Sequence, residues 1–173
     1  MTNSELTFLK PDYETLVKLM ETTYEKVIES GFMPNYMLAI ARGGWLFGRI
    51  LSDLFEANEI DCEVISVTAE LYTGIGTTGR NVRLKQELDR CLIQQKVLIV
   101  DDVSDTGETL DFVIEYAKWL GAMEVKSATC YYKTGSSVIP DFFGHELPRT
   151  TWIIFPYEKH TSKKELERKG ITI

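Results

Sequence analysis

The stretch Lys96-Val-Leu-Ile-Val-Asp-Asp-Val-Ser-Asp-Thr-Gly-Glu-Thr-Leu110 decides how the rest of this chain is interpreted. Its four apolar residues at 97–100 predict a buried strand. Asp101 and Asp102, the acidic pair, stand where that strand is expected to end. A helix is predicted from about residue 109 to 120. This order of parts predicts an α/β unit with its polar groups at one edge of a sheet.

Residues 104–109, the phosphate loop, contain the groups that anion binding needs. Backbone N–H groups at a helix start can bind a phosphate, and the hydroxyls of Thr106 and Thr109 can add hydrogen bonds. Carboxylates repel a phosphate, so the acidic pair needs another ligand, such as sugar hydroxyls or Mg²⁺. The alternative, that the pair only ends a strand and Ser104 or Asp105 caps the helix, explains the pair but not the whole loop. The stretch therefore predicts a phosphosugar site.

Strands and helices alternate along the rest of the chain, which is typical of an α/β fold with a mainly parallel sheet. Residues 69–90 have weak periodicity, and their first half is predicted to be a mobile loop. A second loop is predicted at 136–149. The remaining predicted elements are helices at 13–30, 45–55 and 162–169, and strands at 36–41, 62–67, 125–132 and 151–155.

The composition is that of one globular domain of 173 residues, with 44% apolar and 26% charged residues. No apolar run approaches the roughly 20 residues that span a bilayer, and the N-terminus lacks the pattern of a secretory signal. Three scattered cysteines, Cys62, Cys91 and Cys130, indicate free thiols in a reducing cytoplasm. A net charge of −7 argues against nucleic acid as a partner.

Residues 97–109 resemble the phosphoribosyl-pyrophosphate (PRPP) signature of the type I phosphoribosyltransferases: four apolar residues, two acidic ones and a loop ending Thr-Gly-x-Thr. Ser104 departs from the family, which usually has an aliphatic residue there. The resemblance implies a mainly parallel, twisted sheet flanked by helices. It also implies a single domain, 1–173, with a core at about 13–132 and a small C-terminal hood at about 133–160.

The same resemblance assigns roles to residues 101–109. Asp101 and Asp102 are expected to bind the ribose hydroxyls and Mg²⁺. Asp105 is expected to lie near the purine N7 as the catalytic proton acceptor or donor. The complete set of expected PRPP contacts is Asp101, Asp102, Val103, Ser104, Asp105, Thr106, Gly107, Glu108 and Thr109.

A second segment, Arg42-Gly43-Gly44, follows a predicted strand and precedes a predicted helix. Glycine permits close approach of an anion, and arginine can bind two oxygens at once. A plain turn also explains these residues. Their place about sixty residues before the PRPP signature resembles the family's pyrophosphate loop. The family often has a non-trans peptide bond before this arginine, which the sequence alone does not decide.

The glycines at 74, 76 and 79 match the dinucleotide pattern G-x-G-x-x-G, but no helix is predicted to begin there. A Walker A loop is excluded because Arg80 and Asn81 replace the required residues. A glycine-rich segment followed by Arg80 and Arg83 suits a flexible lid, and the resemblance implies one that closes over PRPP. Both arginines are candidates for binding the pyrophosphate.

The C-terminal segment Trp152-Ile-Ile-Phe-Pro-Tyr-Glu158 resembles the hood of bacterial xanthine-guanine phosphoribosyltransferases and their archaeal relatives. The match implies that Trp152 covers the purine and that Ile153 offers backbone groups to its edge. Glu158 aligns with an acidic hood position of undefined role. Lys133 matches a lysine that contacts the 6-oxo group. Lysine donates but does not accept hydrogen bonds, which favours a 6-oxopurine over adenine.

The sequence therefore predicts a Mg²⁺-dependent purine phosphoribosyltransferase of the cytoplasm. It would transfer the phosphoribosyl group of PRPP to guanine, xanthine or hypoxanthine in purine salvage, giving a nucleoside 5′-monophosphate and pyrophosphate. The alternatives are a regulator of the same fold that binds PRPP or a nucleotide without turnover, an adenine phosphoribosyltransferase, and an orotate phosphoribosyltransferase, against which the hood argues most strongly. By resemblance, the chain is expected to form a homodimer or homotetramer.

Overall fold

The computed structural model describes residues 6–72, 81–168 and 170 of the 173. All the predicted helices and strands are present, most with changed bounds. In chain order the elements are β1 (Thr7–Leu9), α1 (Tyr13–Glu29), β2 (Tyr36–Ala41), α2 (Gly44–Ala57), β3 (Glu63–Tyr72), β4 (Asn81–Leu84), β5 (Lys96–Ser104), α3 (Glu108–Trp119), β6 (Glu124–Lys133), β7 (Phe142–Leu147), β8 (Thr151–Ile153) and α4 (Lys159–Arg168).

The main sheet has six strands in the order β4-β3-β2-β5-β6-β7. All neighbouring pairs are parallel except β3 and β4, which are antiparallel. The short strands β1 and β8 pair in parallel outside this sheet. The prediction of an α/β fold with a mainly parallel sheet is thus confirmed.

Strand β5 is buried on both of its faces. Leu98 and Val100 pack in a cluster with residues of α1 and α2. Val97 and Ile99 pack in a second cluster with residues of α3. Alternate side chains of a strand point to opposite faces, so the helices on the two sides of the sheet cover β5 completely. All four apolar residues of the strand are fully buried, as the apolar run predicted.

The expectation that β5 ends at the acidic pair is wrong. The strand continues through Asp101 and Asp102 as far as Ser104, which pairs in register with Tyr132 of β6. Pairing with a neighbouring strand holds the carboxylates in extended backbone, although aspartate has a low intrinsic preference for strands. The phosphate loop proper therefore begins one residue later, at Asp105.

The prediction of a loop throughout 136–149 is also wrong, because β7 lies within it. Phe142 and Leu147 are buried, whereas His145 and Glu146 between them are exposed. The segment lacks the period-two alternation that identifies a strand, and pairing with β6 decides its conformation.

Smaller corrections concern the ends of several elements. Strand β3 continues to Tyr72 and pairs with the unpredicted strand β4, so part of the segment read as a loop is sheet. Strand β1 was not predicted, β8 stops at Ile153, and α4 begins at Lys159. The glycine-rich residues 74–79 and Arg80 lie outside the described residues. Within the described part of the chain, no helix is both long and apolar enough to cross a bilayer.

Candidate active site

The carboxyl ends of β2 and β5 bring the two predicted anion-binding segments together, because these strands are neighbours in the sheet. A side chain at Gly43 would overlap the carboxylate of Asp102, and one at Gly44 would overlap the carbonyl oxygen of Val100. Both positions thus require glycine for close packing against the end of β5. The Ala41–Arg42 peptide bond is cis. Arg42 lies in the turn between β2 and α2.

The acidic pair is half-buried and held by two hydrogen bonds. The Asp102 backbone N–H donates to Asp101 Oδ1 at 2.9 Å. The Tyr157 hydroxyl donates to Asp102 Oδ2 at 3.0 Å. Tyr157 lies in the turn before α4, so this bond connects the C-terminal hood to the central strand.

Both carboxyl groups of the pair have raised pKa values. Burial is the main cause for Asp102 and raises its pKa to about 6; the charge of Glu158 adds to the increase, and the Tyr157 hydrogen bond opposes it. Burial also raises the pKa of Asp101 well above the ordinary value, and repulsion by Asp102 and Glu158 adds to this. The site therefore concentrates negative charge where water is partly excluded.

The donor set of the pair fits Mg²⁺. This ion takes oxygen ligands and is commonly bound by one or two carboxylates together with substrate oxygens and waters. Among residues 6–72, 81–168 and 170, no group of three or more His, Cys, Asp or Glu side chains converges as a metal site. A magnesium ion at Asp101 and Asp102 would thus take its remaining oxygens from substrate and water.

The phosphate loop surrounds a cavity of about 190 Å³ at the start of α3. Gly107 precedes the first residue of the helix and has a φ of +87°, in the left-handed region that favours glycine. The N-terminus of a helix carries partial positive charge, which favours an anion in this cavity. The cavity is lined by Asp101, Val103, Ser104, Asp105, Thr106, Gly107, Thr109 and Leu110.

Lys133 and Asp105 form an ion pair across the ends of β5 and β6. The Lys133 Nζ lies 3.0 Å from Asp105 Oδ2, and the lysine side chain is only 9% exposed, whereas that of Asp105 is 54% exposed. A buried lysine needs a partner of opposite charge, and Asp105 supplies it. Lys133 is therefore not a solvated surface residue, and the two predicted base-contacting side chains meet at one point.

The aromatic residues of segment 152–158 lie on β8 and in the turn that follows it. Tyr157 stacks on Phe155 with ring centroids 5.1 Å apart. Trp152 and Ile153 lie on β8, where they pair in register with β1. A cavity of about 410 Å³ separates the hood from the Arg42 segment, and its lining includes Arg42, Gly43, Trp45, Leu46, Tyr157, Glu158 and Thr161.

Two residues complete the description of the predicted site. Arg83 lies on β4 with an exposed side chain, and β2 and β3 separate this strand from β5. Tyr157 was not assigned a role from sequence, because nothing in an aromatic-proline-aromatic segment indicates a bond to a residue 55 positions earlier. The pyrophosphate roles of Arg80 and Arg83 remain predictions.

A mainly parallel α/β sheet that carries a carboxylate pair and a glycine-containing loop at the carboxyl end of its central strand has the arrangement in which such folds bind ligands. Residues 12–158 match the family model described as the phosphoribosyl transferase domain. The chain therefore belongs to the phosphoribosyltransferase family.

Three relatives illustrate the similarity. A purine phosphoribosyltransferase structure from Pyrococcus horikoshii matches with a TM-score of 0.75 and 29% identity, over 87% of this chain and 93% of that one. The xanthine-guanine phosphoribosyltransferase of Nitratidesulfovibrio vulgaris is 30% identical, over 70% of the length of this chain and 68% of the length of the relative. The hypoxanthine-guanine phosphoribosyltransferase of Bacillus subtilis is 25% identical, over 81% of the length of this chain and 82% of the length of the relative.

The raised pKa of Asp102 predicts how stability depends on pH. The folded protein binds the Asp102 proton more tightly than the unfolded chain does, so this group makes folding less favourable as pH rises from about 4 to about 6. Asp102→Asn removes the buried charge and leaves an oxygen to accept from Tyr157. We expect the variant to have a free energy of unfolding about 1–3 kcal/mol higher than wild type at pH 8 without Mg²⁺.

Urea denaturation at pH 4 and pH 8 measures this difference, which should largely disappear at pH 4, where the unfolded carboxyl is half protonated and the folded one almost fully so. Asp111→Asn, at an exposed position on α3, is the control and should show little change at either pH. A wild-type protein more stable than Asp102→Asn at pH 8 would contradict the prediction.

Proposed function

We propose that this protein is a 6-oxopurine phosphoribosyltransferase that uses PRPP and Mg²⁺. The observation that carries the proposal is the Lys133–Asp105 ion pair, 3.0 Å long, at the mouth of the phosphate loop. A base positioned there would lie directly beside the sugar of a phosphoribosyl group whose phosphate occupied the loop. The names of the relatives support a purine as the acceptor.

The pair suits one edge of a 6-oxopurine. The O6 and N7 atoms are adjacent on that edge, and a cation is a common partner for O6. Lys133 would donate to O6, and the Asp105 carboxylate would accept the proton of an N7–H tautomer. Adenine offers a donor amine in place of O6, so it would face the lysine donor unfavourably. Trp152 would cover the base, and Ile153 would supply backbone groups to its other edge.

The phosphoribosyl donor would occupy the acidic pair and the phosphate loop. Residues 105–109 would hold the 5′-phosphate at the start of α3, and Asp101 and Asp102 would accept hydrogen bonds from the ribose hydroxyls. Arg42 and the backbone of Gly43 and Gly44 would bind the pyrophosphate group. Bound Mg²⁺ would neutralise charge on the departing pyrophosphate.

The proposed reaction exchanges two bonds at C1 of the ribose. The purine N9 attacks C1 and forms the new N–C bond, while the bond from C1 to the pyrophosphate oxygen breaks and its electrons leave with that oxygen. Asp105 takes the proton that the purine loses at N7. Arg42 stabilises the charge on the leaving group. We further infer that the chain works as one domain, with the hood closing the base side of the site.

Purified protein, incubated with PRPP, Mg²⁺ and one base at a time, tests the proposal directly. We expect a nucleoside 5′-monophosphate from guanine, xanthine or hypoxanthine and little from adenine, with product lost when the metal is chelated. Chromatography of the products gives the measurement. PRPP binding in a calorimeter without product from any base would support a non-catalytic regulator instead, and product from adenine alone would indicate an adenine enzyme.

Asp105→Asn separates catalysis from donor binding. The amide cannot take the N7 proton, so we expect kcat to fall by about 10²- to 10⁴-fold. The Kd for PRPP, measured by calorimetry, should change by no more than a few-fold, because the backbone of the loop is unaltered. Asp111→Asn, on the exposed face of α3, should leave both values unchanged. A large loss of PRPP binding with normal kcat would remove the proton-transfer role of Asp105.

Lys133→Met tests recognition of the base. The apolar side chain has similar length but no donor, and loss of a hydrogen bond from a charged group should raise KM for the 6-oxopurine by about 10- to 100-fold. The KM for PRPP should change far less. Lys126→Met is a matched control, because Lys126 lies on the same strand and forms an ion pair with Asp141 at 2.9 Å, near its other end. Equal effects of the two substitutions would reject a specific base contact.

A further inference from the structure

Residues 134–138, the first part of the connection from β6 to β7, are here named the serine loop and lie against the phosphate loop. The Ser137 backbone N–H donates to the Thr106 carbonyl oxygen at 2.8 Å. The Ser137 hydroxyl donates to the same oxygen at 2.9 Å. Two donors from one residue, about thirty positions further along the chain, thus converge on one carbonyl of the phosphate loop.

A second set of contacts holds the serine loop in place. Ser104 is fully buried, and its hydroxyl lies 2.9 Å from the Ser136 hydroxyl and 2.9 Å from the carbonyl oxygen of Val138. The Ser136 hydroxyl is also 3.1 Å from the Val138 oxygen. The Ser104 hydroxyl thus connects the end of β5 to both the Ser136 hydroxyl and the Val138 carbonyl of the serine loop. A buried polar side chain satisfied in this way fixes the loop's position relative to the strand.

The serine loop also packs closely against Gly107. A Cβ atom on Gly107 would lie 2.5 Å from the Ser137 hydroxyl oxygen, 2.6 Å from that of Ser136 and 2.6 Å from the Val138 backbone nitrogen. The side of Gly107 that would carry a side chain is therefore covered by the serine loop. Since the Thr106 carbonyl also points toward this loop, the Thr106–Gly107 peptide is held from one side.

Peptide planarity transmits this arrangement to the anion site. In a trans peptide, the carbonyl of one residue and the N–H of the next point in opposite directions within one plane. With the Thr106 carbonyl held by Ser137, the Gly107 N–H points away from the serine loop. The cavity at the start of α3 is lined by Gly107, by other residues of the phosphate loop and by the end of β5, and by none of residues 134–138. Gly107 therefore borders this cavity with its N–H directed away from the serine loop.

We infer that Ser137 is a positioning residue for the 5′-phosphate of the substrate: its two hydrogen bonds to the Thr106 carbonyl orient the Gly107 N–H as a phosphate donor. Ser104 and Ser136 hold the serine loop where Ser137 can reach that carbonyl. This inference rests on the proposed function, because it assigns the 5′-phosphate to the phosphate loop. It adds a group outside that loop, Ser137, whose effect is specific to ligands that carry this phosphate.

Ser137→Ala tests the inference, since it removes the hydroxyl donor and keeps the backbone donor. Calorimetry with Mg²⁺ should show that the Kd values for PRPP and ribose 5-phosphate rise by about 3- to 10-fold, as expected for one hydrogen bond. The Kd for pyrophosphate, which lacks the ribose phosphate, should stay at the wild-type value. Ser137→Thr keeps a hydroxyl and should restore binding of PRPP and ribose 5-phosphate.

Ser52→Ala is the matched control, because the Ser52 hydroxyl donates to the Arg49 carbonyl at 2.9 Å on an exposed turn of α2. It should leave all three Kd values unchanged. Equal PRPP binding by wild type and Ser137→Ala, or an equal loss for PRPP and pyrophosphate, would overturn the positioning role while leaving the proposed function standing. Wild-type protein that binds neither PRPP nor ribose 5-phosphate would reject the proposed function and the inference with it.

Discussion

The burial of β5 on both faces is the constraint on which the rest of the site depends. Leu98 and Val100 pack toward one layer of helices, and Val97 and Ile99 pack toward the other. A carboxylate placed among these residues would be buried without a partner, at a large cost in free energy. The acidic residues of this strand therefore occur only at its carboxyl end, where the ends of β2 and β6 also bring Arg42 and Lys133.

Burial of the acidic pair has consequences for its neighbours. The raised pKa values of Asp101 and Asp102 mean that their charged forms are destabilised in the free protein. Tyr157 offsets part of this cost at Asp102 through its hydrogen bond, and Gly43 leaves the carboxylate room by having no side chain. A bound cation would offset more of it. The burial that disfavours the charged carboxylates would thus strengthen their attraction for the metal ion and sugar hydroxyls that the proposed function assigns to them.

Much of the fold and part of the site can be predicted from local sequence. The alternation of apolar runs with amphipathic helices predicted the parallel sheet, and the order of residues 97–109 predicted the strand, the anion loop and the helix start. Strand β7, the extension of β5 past the acidic pair and the pairing of β1 with β8 could not be predicted. In each of these cases pairing between distant strands outweighs weak local preference. Tyr157 and Ser137 were missed for a related reason, since each acts on a residue more than thirty positions away.

The sequence by itself determined which chemical groups are available and the order in which the chain presents them. Those groups are two carboxylates at the end of an apolar run, a glycine before a helix and a lysine at the end of the next strand. The tertiary structure alone decided which groups meet. Register between β5 and β6 sets Asp105 beside Lys133, and the returning chain brings Tyr157 to Asp102 and Ser137 to Thr106. Contacts between groups far apart in the chain depend on how the sheet and its connections pack. Local residue patterns do not determine this packing, so they do not show which distant groups come into contact.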